Sequence, residues 1–373
     1  MAAVRRKSTS KKRNRSRSHP PIPKRVDLEP PPLLPVGYVL KNRWRIDAQL
    51  SKGAFGEVCI AYDLVANRTV AIKSEALNTK NSFLGMDVEV LRKLQEKKTT
   101  VPRFYACGHT DRINYVVMQL LGRSVLELKK AMSDDRFSFG TAIRVVDQMT
   151  CGLRDLHECG YLHRDVKPAN FTVGPPMDDT ESRSNRLRIV YMIDFGLCRP
   201  FIDPNSGKHY PPRVRAGFRG TPRYASIECL KGHDVGRRDD LWSLFYLLVE
   251  IMVGQLPWRR MNDKKEILDA KLKWQPVELL PVNGPTELLE LIDHLVTLDF
   301  DTAPSYGLIR DVFHRALNRL QVDHTTPWDW DPVDQEGDHQ RPVQNPSAGS
   351  EISCGDNGNQ SARAGEVNAD MDV

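Results

Sequence analysis

The sequence predicts an α+β fold with two lobes, a small lobe rich in antiparallel β-strands followed by a larger, mainly α-helical lobe. Residues 44–119 contain short runs in which apolar and polar residues alternate, with one helical stretch among them. After Gly122 the apolar residues recur at helical spacing in longer segments. A sheet-rich half that precedes a helical half implies a cleft between two lobes.

The small lobe is predicted at about residues 38–119. Its five strands are the β-branched and aromatic runs WRIDAQL, EVCIAYDL, TVAIKSE, RFYACGH and INYVVMQL. Its one helix is predicted at residues 83–94, because leucine and valine residues recur there at helical spacing.

The larger lobe is predicted at about residues 120–330, and it contains five expected helices. They cover residues 139–159, 239–253, 263–274, 286–297 and 306–320. The longest apolar run of the chain, residues 244–254, is interrupted by Glu250 and is far too short to cross a bilayer. We therefore interpret it as a buried helix.

Two tails are predicted to flank this body and to be disordered. Residues 1–37 are basic and then rich in proline, whereas residues 331–373 are acidic and rich in small polar residues. The formal net charge of +6 therefore says little about the folded part. The basic tail is either a solvated arm or an arm for nuclear import or nucleic-acid binding, and the sequence leaves both readings open.

The cysteines and the N-terminal sequence indicate the compartment. The seven cysteines are odd in number and none forms a C-x-x-C pair, which argues against a disulfide framework or a zinc site. No apolar N-terminal segment resembles a signal peptide. We expect a monomeric protein of the cytoplasm that does not bind membranes, with the nucleus as the alternative location.

Two motifs in the predicted strands are suited to binding phosphate groups. In LSKGAFGEV, a glycine-rich turn between two strands can lay backbone N–H groups over phosphate oxygens. In VAIK, the strand can point the ammonium group of Lys73 into the cleft. Taken alone, the first motif would be an ordinary hairpin and the second a surface lysine. The predicted nucleotide-binding residues in these motifs are Leu50, Ser51, Lys52, Gly53, Ala54, Phe55, Gly56, Glu57, Val58, Ala71 and Lys73.

Two further motifs carry catalytic and metal-binding groups. In HRDVKPAN, Asp165 would accept or orient the proton of an attacking hydroxyl group, and Lys167 would neutralise charge on the transferred phosphoryl group. Asn170 of the same motif is the third predicted catalytic residue. Asn170 and Asp194 of DFG both offer oxygen atoms to Mg²⁺. The four motifs in this order are the signature of protein kinases, so we predict an enzyme that uses ATP and Mg²⁺.

Residues 38–330 also resemble the casein kinase I superfamily, and most of all its tau-tubulin kinase branch. The strings that carry the resemblance are NYVVMQLLGRS, AGFRGTPRYASIE and GRRDDLWSLFYLLVEIMVGQLPW. The resemblance implies the bilobal protein kinase fold, ATP and Mg²⁺ as cofactors, and serine or threonine hydroxyls of proteins as substrates. It also implies that Met118 is the gatekeeper behind adenine, that the hinge includes Gln119 and Leu121, and that Asp240 braces the catalytic loop.

Two residues depart from the pattern of the family. Ser51 occupies the place of the first loop glycine, and its side chain should weaken ATP binding. Asp87 occupies the place of the helical glutamate that pairs with Lys73. Since aspartate is one methylene shorter, the helix would have to move inward by about 1.5 Å, and a glutamate at this position should raise activity. Glu89 points to another face of the helix, and the alternative is that Asp87 pairs adequately.

Basic residues are concentrated between the DFG motif and the G-T-P sequence at Thr221. They are Arg199, Lys208, Arg213, Arg215 and Arg219, with Arg223 just beyond. Clustered guanidinium groups favour phosphate or carboxylate, so we predict acidic or pre-phosphorylated protein substrates, although a solvated loop face is the alternative. Because residues 197–221 contain only three hydroxyl side chains, we also expect activity without phosphorylation of this segment.

Two other functions compete with an active kinase. A catalytically weak kinase-fold scaffold that acts by binding proteins would accommodate Ser51 and Asp87. A nucleic-acid-binding protein is the more distant alternative, because it depends on the basic N-terminal arm alone.

Overall fold

The N-terminal half of the protein is built around one antiparallel sheet of six strands. The computed structural model describes residues 32–53, 56–77, 83–97, 99–174 and 187–331. The strands are β1 (Val39–Leu40), β2 (Trp44–Gly53), β3 (Gly56–Asp63), β4 (Arg68–Ala76), β5 (Phe104–His109) and β6 (Ile113–Gln119), in the order β1-β2-β3-β4-β6-β5. Helix α1 (Leu84–Glu96) lies between β4 and β5 along the chain and contacts both strands and β6.

The alternation of side chains in β3 fixes which residues face the core and which face the cleft. Every second residue of this strand is buried, among them Glu57, Cys59 and Ala61. Cys59 and Ala61 pack in a core cluster with Leu34 and Trp44. The residues between them face the opposite side of the sheet.

The predicted start of the folded body at residue 38 is corrected by this cluster. Leu34 is only 2% exposed within the cluster, and Leu33 packs against it. The backbone N–H of Leu33 donates to Glu57 Oε2 at 2.8 Å. The two leucines that end the proline-rich segment therefore belong to the folded body, because they supply apolar surface that the sheet buries. Residues 1–31 and 332–373, which contain most of the predicted tails, lie outside the described residues.

The C-terminal half is mainly helical. Its helices are α2 (Val125–Lys130), α3 (Phe139–Glu158), α4 (Ile227–Leu230), α5 (Arg237–Val253), α6 (Lys264–Lys273), α7 (Leu288–Val296) and α8 (Tyr306–Arg319). Two short antiparallel pairs join β7 (Tyr161–Leu162) to β10 (Arg199–Pro200) and β8 (Phe171–Val173) to β9 (Val190–Met192). Helix α5 is buried along most of its length, as its apolar sequence predicts.

All five predicted strands and six predicted helices are present, and the elements that sequence periodicity missed are short. Helix α2 has only six residues, yet its start carries a recognisable signal. Ser124 Oγ accepts the backbone N–H of Glu127 at 3.2 Å, and the Glu127 carboxylate accepts the backbone N–H of Ser124 at 2.7 Å. Within the described ranges, no helix is both long and apolar enough to cross a membrane. The antiparallel small lobe and the helical larger lobe confirm the predicted α+β bilobal fold.

Candidate active site

A cavity of about 580 Å³ lies between the six-stranded sheet and the helical half. Its volume is within the usual range for small-molecule and cofactor sites. Twelve of the predicted nucleotide-binding residues line it, namely Leu50, Ser51, Lys52, Gly53, Gly56, Val58, Ala71, Lys73, Asp87, Met118, Gln119 and Leu121. Ala54 and Phe55, which lie between Gly53 and Gly56 in the sequence, are outside the described residues.

Glu57 is a correction to the predicted set. Its side chain is on the buried face of β3, where it accepts the N–H of Leu33, and it does not line the cavity. The pleat explains this placement, because Val58 faces the cavity and its neighbour must face the other way.

Gly56 has a structural reason to be glycine. Its φ of +132° lies in the region that favours glycine, and a Cβ built there would be 2.1 Å from the backbone oxygen of Ser74. The glycine-rich turn therefore allows β3 to approach β4, the strand that carries Lys73, without a side chain between them.

The cavity is also lined by residues that the sequence analysis did not name as site residues. They are Leu91, Pro102, Val116, Gly122, Ala169, Thr172, Ile193 and Phe195. Two of them carried a usable signal in the sequence. Val116 is two residues before Met118 in the same strand, and Leu91 is one helical turn after Asp87.

Lys73 is the centre of an ion-pair network across the cavity. Its Nζ lies 2.6 Å from Asp87 Oδ2 and 2.9 Å from Asp194 Oδ1. Burial alone would lower the pKa of Lys73, but Asp87 and Asp194 outweigh it, so the pKa lies above its usual value. Asp87 Oδ1 also accepts the backbone N–H of Phe195 at 2.7 Å. Asp87 thus reaches Lys73 and the DFG backbone together, which agrees with the alternative of adequate pairing.

Helix α1 is fixed at both ends in the position that this short pair requires. At its N-terminal end, Glu75 Oε2 accepts the N–H groups of Phe83 at 2.8 Å and Leu84 at 3.2 Å. Glu75 is two residues after Lys73 on β4. This strand therefore binds α1 through two side chains, Lys73 at Asp87 and Glu75 at the start of the helix.

At the other end of α1, the hydroxyl of Tyr161 connects the helix to the start of the catalytic loop. This hydroxyl donates to Glu89 and accepts from Lys93 Nζ at 2.6 Å. Lys97 Nζ, just beyond the helix, lies 2.9 Å from Glu158 Oε2 of α3. Glu89 does not substitute for Asp87, as its place on the helix predicts.

Asp165 is buried and accepts hydrogen bonds from three side chains. Thr221 Oγ1 donates to its Oδ1 at 2.7 Å, and Lys167 Nζ donates to its Oδ2 at 2.6 Å. Asn170 Nδ2 lies 3.2 Å from the same Oδ2. The structure thus brings together the three predicted catalytic residues. A carboxylate held in this way can accept a hydrogen bond from a substrate hydroxyl in a fixed direction.

Asp240 of α5 braces the catalytic loop by hydrogen bonds to its backbone, as the resemblance implies. Its carboxylate accepts the backbone N–H groups of His163 at 2.7 Å and Arg164 at 2.8 Å. Its Oδ2 also lies 2.9 Å from His157 Nε2. Burial opposes the charge, but His157 and these N–H groups hold the pKa of Asp240 below its usual value. Arg164 has a φ of +65°, a strained conformation that Asp240 helps to maintain.

The oxygen atoms of Asn170 and Asp194 fit the magnesium site that the sequence predicts. Both residues line the cavity. In the described structure, Asn170 makes its hydrogen bonds to Asp165 through the amide nitrogen, so its amide oxygen remains for a cation. Burial alone would raise the pKa of Asp194. The charge and hydrogen bond of Lys73 outweigh burial and hold this pKa below its usual value, so the carboxylate is ionised. Two oxygen ligands from the protein, with the rest from phosphates and water, are typical of Mg²⁺ sites.

The basic residues after DFG do not form one free cluster. Arg199 and Arg213 both bind the carboxylate of Asp234, with the shortest contacts at 2.6 and 2.8 Å. By contrast, Lys208 and Arg215 are exposed and make no ion pair with another described residue. Arg219 is also exposed, and its guanidinium donates only to the adjacent carbonyl of Phe218, at 3.0 Å. Arg223 lies 3.8 Å from Glu250 Oε1. The residues of the predicted anion-binding surface that form no ion pair with another described residue are therefore Lys208, Arg215 and Arg219.

Comparisons with known proteins agree with this geometry. The protein kinase domain family matches residues 44–314. Over 301 residues the chain is 39% identical to a probable serine/threonine-protein kinase of Dictyostelium discoideum. The aligned region covers 81% of this chain, and the chain spans about 59% of the length of that relative. The ion pair of Lys73, the bonds of Asp165 and the match to most of the chain lead to one conclusion: this chain belongs to the protein kinase family.

Proposed function

We propose that this protein is an ATP-dependent serine/threonine kinase that transfers the γ-phosphoryl group of ATP to hydroxyl groups of proteins. The observation that carries the proposal is the carboxylate of Asp165, which is bonded to Lys167, Asn170 and Thr221 beside the cavity. The match to the protein kinase domain and the identity to the Dictyostelium relative support the same reaction.

Each residue of the site has a defined role in this reaction. ATP supplies the phosphoryl group and Mg²⁺ neutralises its charge when both are bound. Lys73 would hold the α- and β-phosphates, and Asn170 and Asp194 would hold the metal. Asp165 would orient the substrate hydroxyl and receive its proton, while Lys167 would stabilise the charge that develops on the phosphoryl oxygens.

The direct test is transfer of labelled γ-phosphate from ATP to casein and to tubulin-associated proteins by the purified full chain with Mg²⁺. We expect incorporation on serine and threonine, and incorporation at least about a hundred-fold slower by the Asp165→Asn protein. The competing proposal, a catalytically weak scaffold, predicts that wild type and Asp165→Asn incorporate the same background amount of label.

Within the protein kinases, we propose that this enzyme belongs to the casein kinase I superfamily and to its tau-tubulin kinase branch. Its support is the sequence resemblance of residues 38–330 and the exposure of Lys208, Arg215 and Arg219, which suits acidic or pre-phosphorylated protein substrates. We also propose a cytoplasmic, monomeric enzyme, with the nucleus as the alternative location. Nucleic-acid binding would depend on the basic N-terminal arm, so removal of residues 1–31 tests it.

The substrate preference leads to a specific prediction. A peptide with phosphoserine or aspartate near the acceptor should be phosphorylated with a higher kcat/KM than its neutral counterpart. The doubly substituted protein, Arg215→Ala with Arg219→Ala, should lose most of this preference, because each charge-assisted contact contributes about 1.5–3 kcal/mol. Arg112→Ala, a change at an 87% exposed side chain in the small lobe, is the matched control. Equal rates on the two peptides with wild-type protein would contradict the proposal.

Because Asp87 already contacts both Lys73 and the Phe195 N–H, Asp87→Glu should not raise activity, contrary to the expectation from length alone. A longer side chain must displace one of these contacts or crowd Gly196, where a Cβ would already lie 3.2 Å from Asp87 Oδ2. Asp87→Ala should lower kcat/KM by about ten- to a hundred-fold. Steady-state kinetics with varied ATP separate these outcomes, and a faster Asp87→Glu enzyme would show that the pair is not optimal.

A further inference from the structure

The carboxylate of Asp234 is a buried junction of two arginines from the segment that follows DFG. Asp234 lies between α4 and α5, and its side chain is fully buried. Its Oδ1 is 2.6 Å from Arg199 Nη1 and 2.8 Å from Arg213 Nη2. Its Oδ2 accepts Arg213 Nε at 3.1 Å and the backbone N–H of Arg213 at 3.0 Å. Arg213 is therefore held through both its side chain and its backbone.

A third arginine lies beside this junction. The Arg164 guanidinium donates from Nε to the carbonyl of Leu197 at 2.7 Å, and the charges of Arg199 and Arg213 are near enough to perturb it. Burial, followed by the charge of Arg199, lowers the pKa of Arg164. Two arginines thus share one carboxylate, and a third arginine is close enough to interact with their charges, which is an arrangement that attracts a further anion if the carboxylate is removed.

Through the two bound arginines, Asp234 contacts the 197–221 segment at two points. Arg199 pairs with Leu162 in the short β7–β10 sheet, immediately before the catalytic loop. Arg213 lies 14 residues later, in the second half of the segment, so one carboxylate closes the loop between them.

The end of the same segment docks on the catalytic loop. Gly220 approaches so closely that a Cβ there would lie 2.3 Å from the backbone oxygen of Arg164. The next residue, Thr221, donates its hydroxyl to Asp165. The segment that Asp234 binds at Arg213 therefore continues to Thr221, which contacts the predicted catalytic carboxylate of Asp165.

From these contacts we infer that Asp234 is a positioning residue that holds the 197–221 segment in its substrate-accepting form, in the role that a phosphate group on the segment performs in kinases activated by phosphorylation. In those enzymes a phosphorylated residue orders the segment by new pairs with arginine. Here the anion comes from the α4–α5 connection and is present in every molecule. The inference rests on the proposed kinase function, and it gives a physical cause for activity without phosphorylation of the segment.

The test is chemical rescue of the full chain carrying Asp234→Ala. We expect kcat/KM for a protein substrate to fall by about ten- to a hundred-fold, the scale of a small misplacement at a reacting group. The KM for ATP should stay near the wild-type value, because no residue of the nucleotide cavity is changed. Millimolar inorganic phosphate or sulfate should restore part of the lost activity by occupying the vacated space between the arginines. The same salts should not stimulate wild type or Asp111→Ala, a change at an exposed side chain in the small lobe.

A second variant and a second readout keep the inference testable if Asp234→Ala folds poorly. Arg213→Ala leaves the Arg199–Asp234 pair intact, and we expect it to lower protein-substrate turnover without rescue by phosphate. Tryptic cleavage after Arg215 should be faster in Asp234→Ala than in wild type and should slow again when phosphate is added.

The outcomes separate the inference from the function on which it rests. An inactive wild-type protein contradicts the proposed kinase, but faster cleavage that phosphate reverses would still support the anchoring role of Asp234. An active wild type with an equally active Asp234→Ala overturns the inference alone. Loss of activity that no anion reverses, in a protein with unchanged cleavage, also overturns it.

Discussion

Substitution of Asp165 by Asn is expected to lower kcat by about 10²–10⁴-fold, the range attributed to a general acid or base. Asparagine keeps the size of the side chain but loses the negative charge and turns one acceptor into a donor. Lys167 and Asn170 donate to one carboxylate oxygen and Thr221 donates to the other, so the new amide keeps all three contacts only if the Thr221 hydroxyl changes from donor to acceptor. In either orientation, the negative group that would receive the substrate proton is lost.

The measurement is kcat with saturating ATP, Mg²⁺ and casein, together with the melting temperature of each protein. Asp111→Asn, at an 86% exposed side chain, is the matched control and should leave both values unchanged. Full transfer activity in folded Asp165→Asn protein would remove Asp165 from the reaction.

Substitution of Lys73 by Ala is expected to have the second largest effect, a fall in kcat/KM for ATP of about 10²–10³-fold. The change removes the cation that both Asp87 and Asp194 contact, at 2.6 and 2.9 Å. Two carboxylates would then face each other across a largely buried space, and Asp194 would be less able to hold a metal in a fixed position.

Comparison with Asp165→Asn separates binding from chemistry. Lys73→Ala should raise the KM for ATP, whereas Asp165→Asn should leave it close to the wild-type value. Lys41→Ala, at an exposed turn of the small lobe, is the matched control for the loss of a lysine. An unchanged KM and kcat in folded Lys73→Ala protein would show that this lysine does not bind the nucleotide.

The sequence predicts the fold and most of the cavity because the relevant signals are local. Alternation marks the strands of the sheet, helical spacing marks α1 and α3, and the four motifs place Lys73, Asp165, Asn170 and Asp194 on successive elements. Glu57 shows the limit of a contiguous motif, since the pleat sends its side chain to the opposite face of the sheet from Val58.

Contacts between distant parts of the chain could not be predicted in this way. Glu75 caps α1 and Tyr161 binds its other end, but neither residue belongs to a motif. Asp234 is 35 positions from Arg199, and only the tertiary fold brings them together. The basic residues after DFG therefore resemble one surface in the sequence, although two of the arginines are bound to the carboxylate of Asp234.

The double contact of Asp87 has a consequence for inhibitor chemistry. A compound that requires Phe195 to leave its present place must break the 2.7 Å bond from the Phe195 N–H to Asp87 and disturb the neighbouring ion pair with Lys73. With a charged acceptor, that bond alone is worth about 1.5–3 kcal/mol, which corresponds to roughly a ten- to a hundred-fold loss of affinity. Compounds that stay at the front of the cleft, against Leu50 and Leu121, do not incur this loss and are the class best suited to this protein.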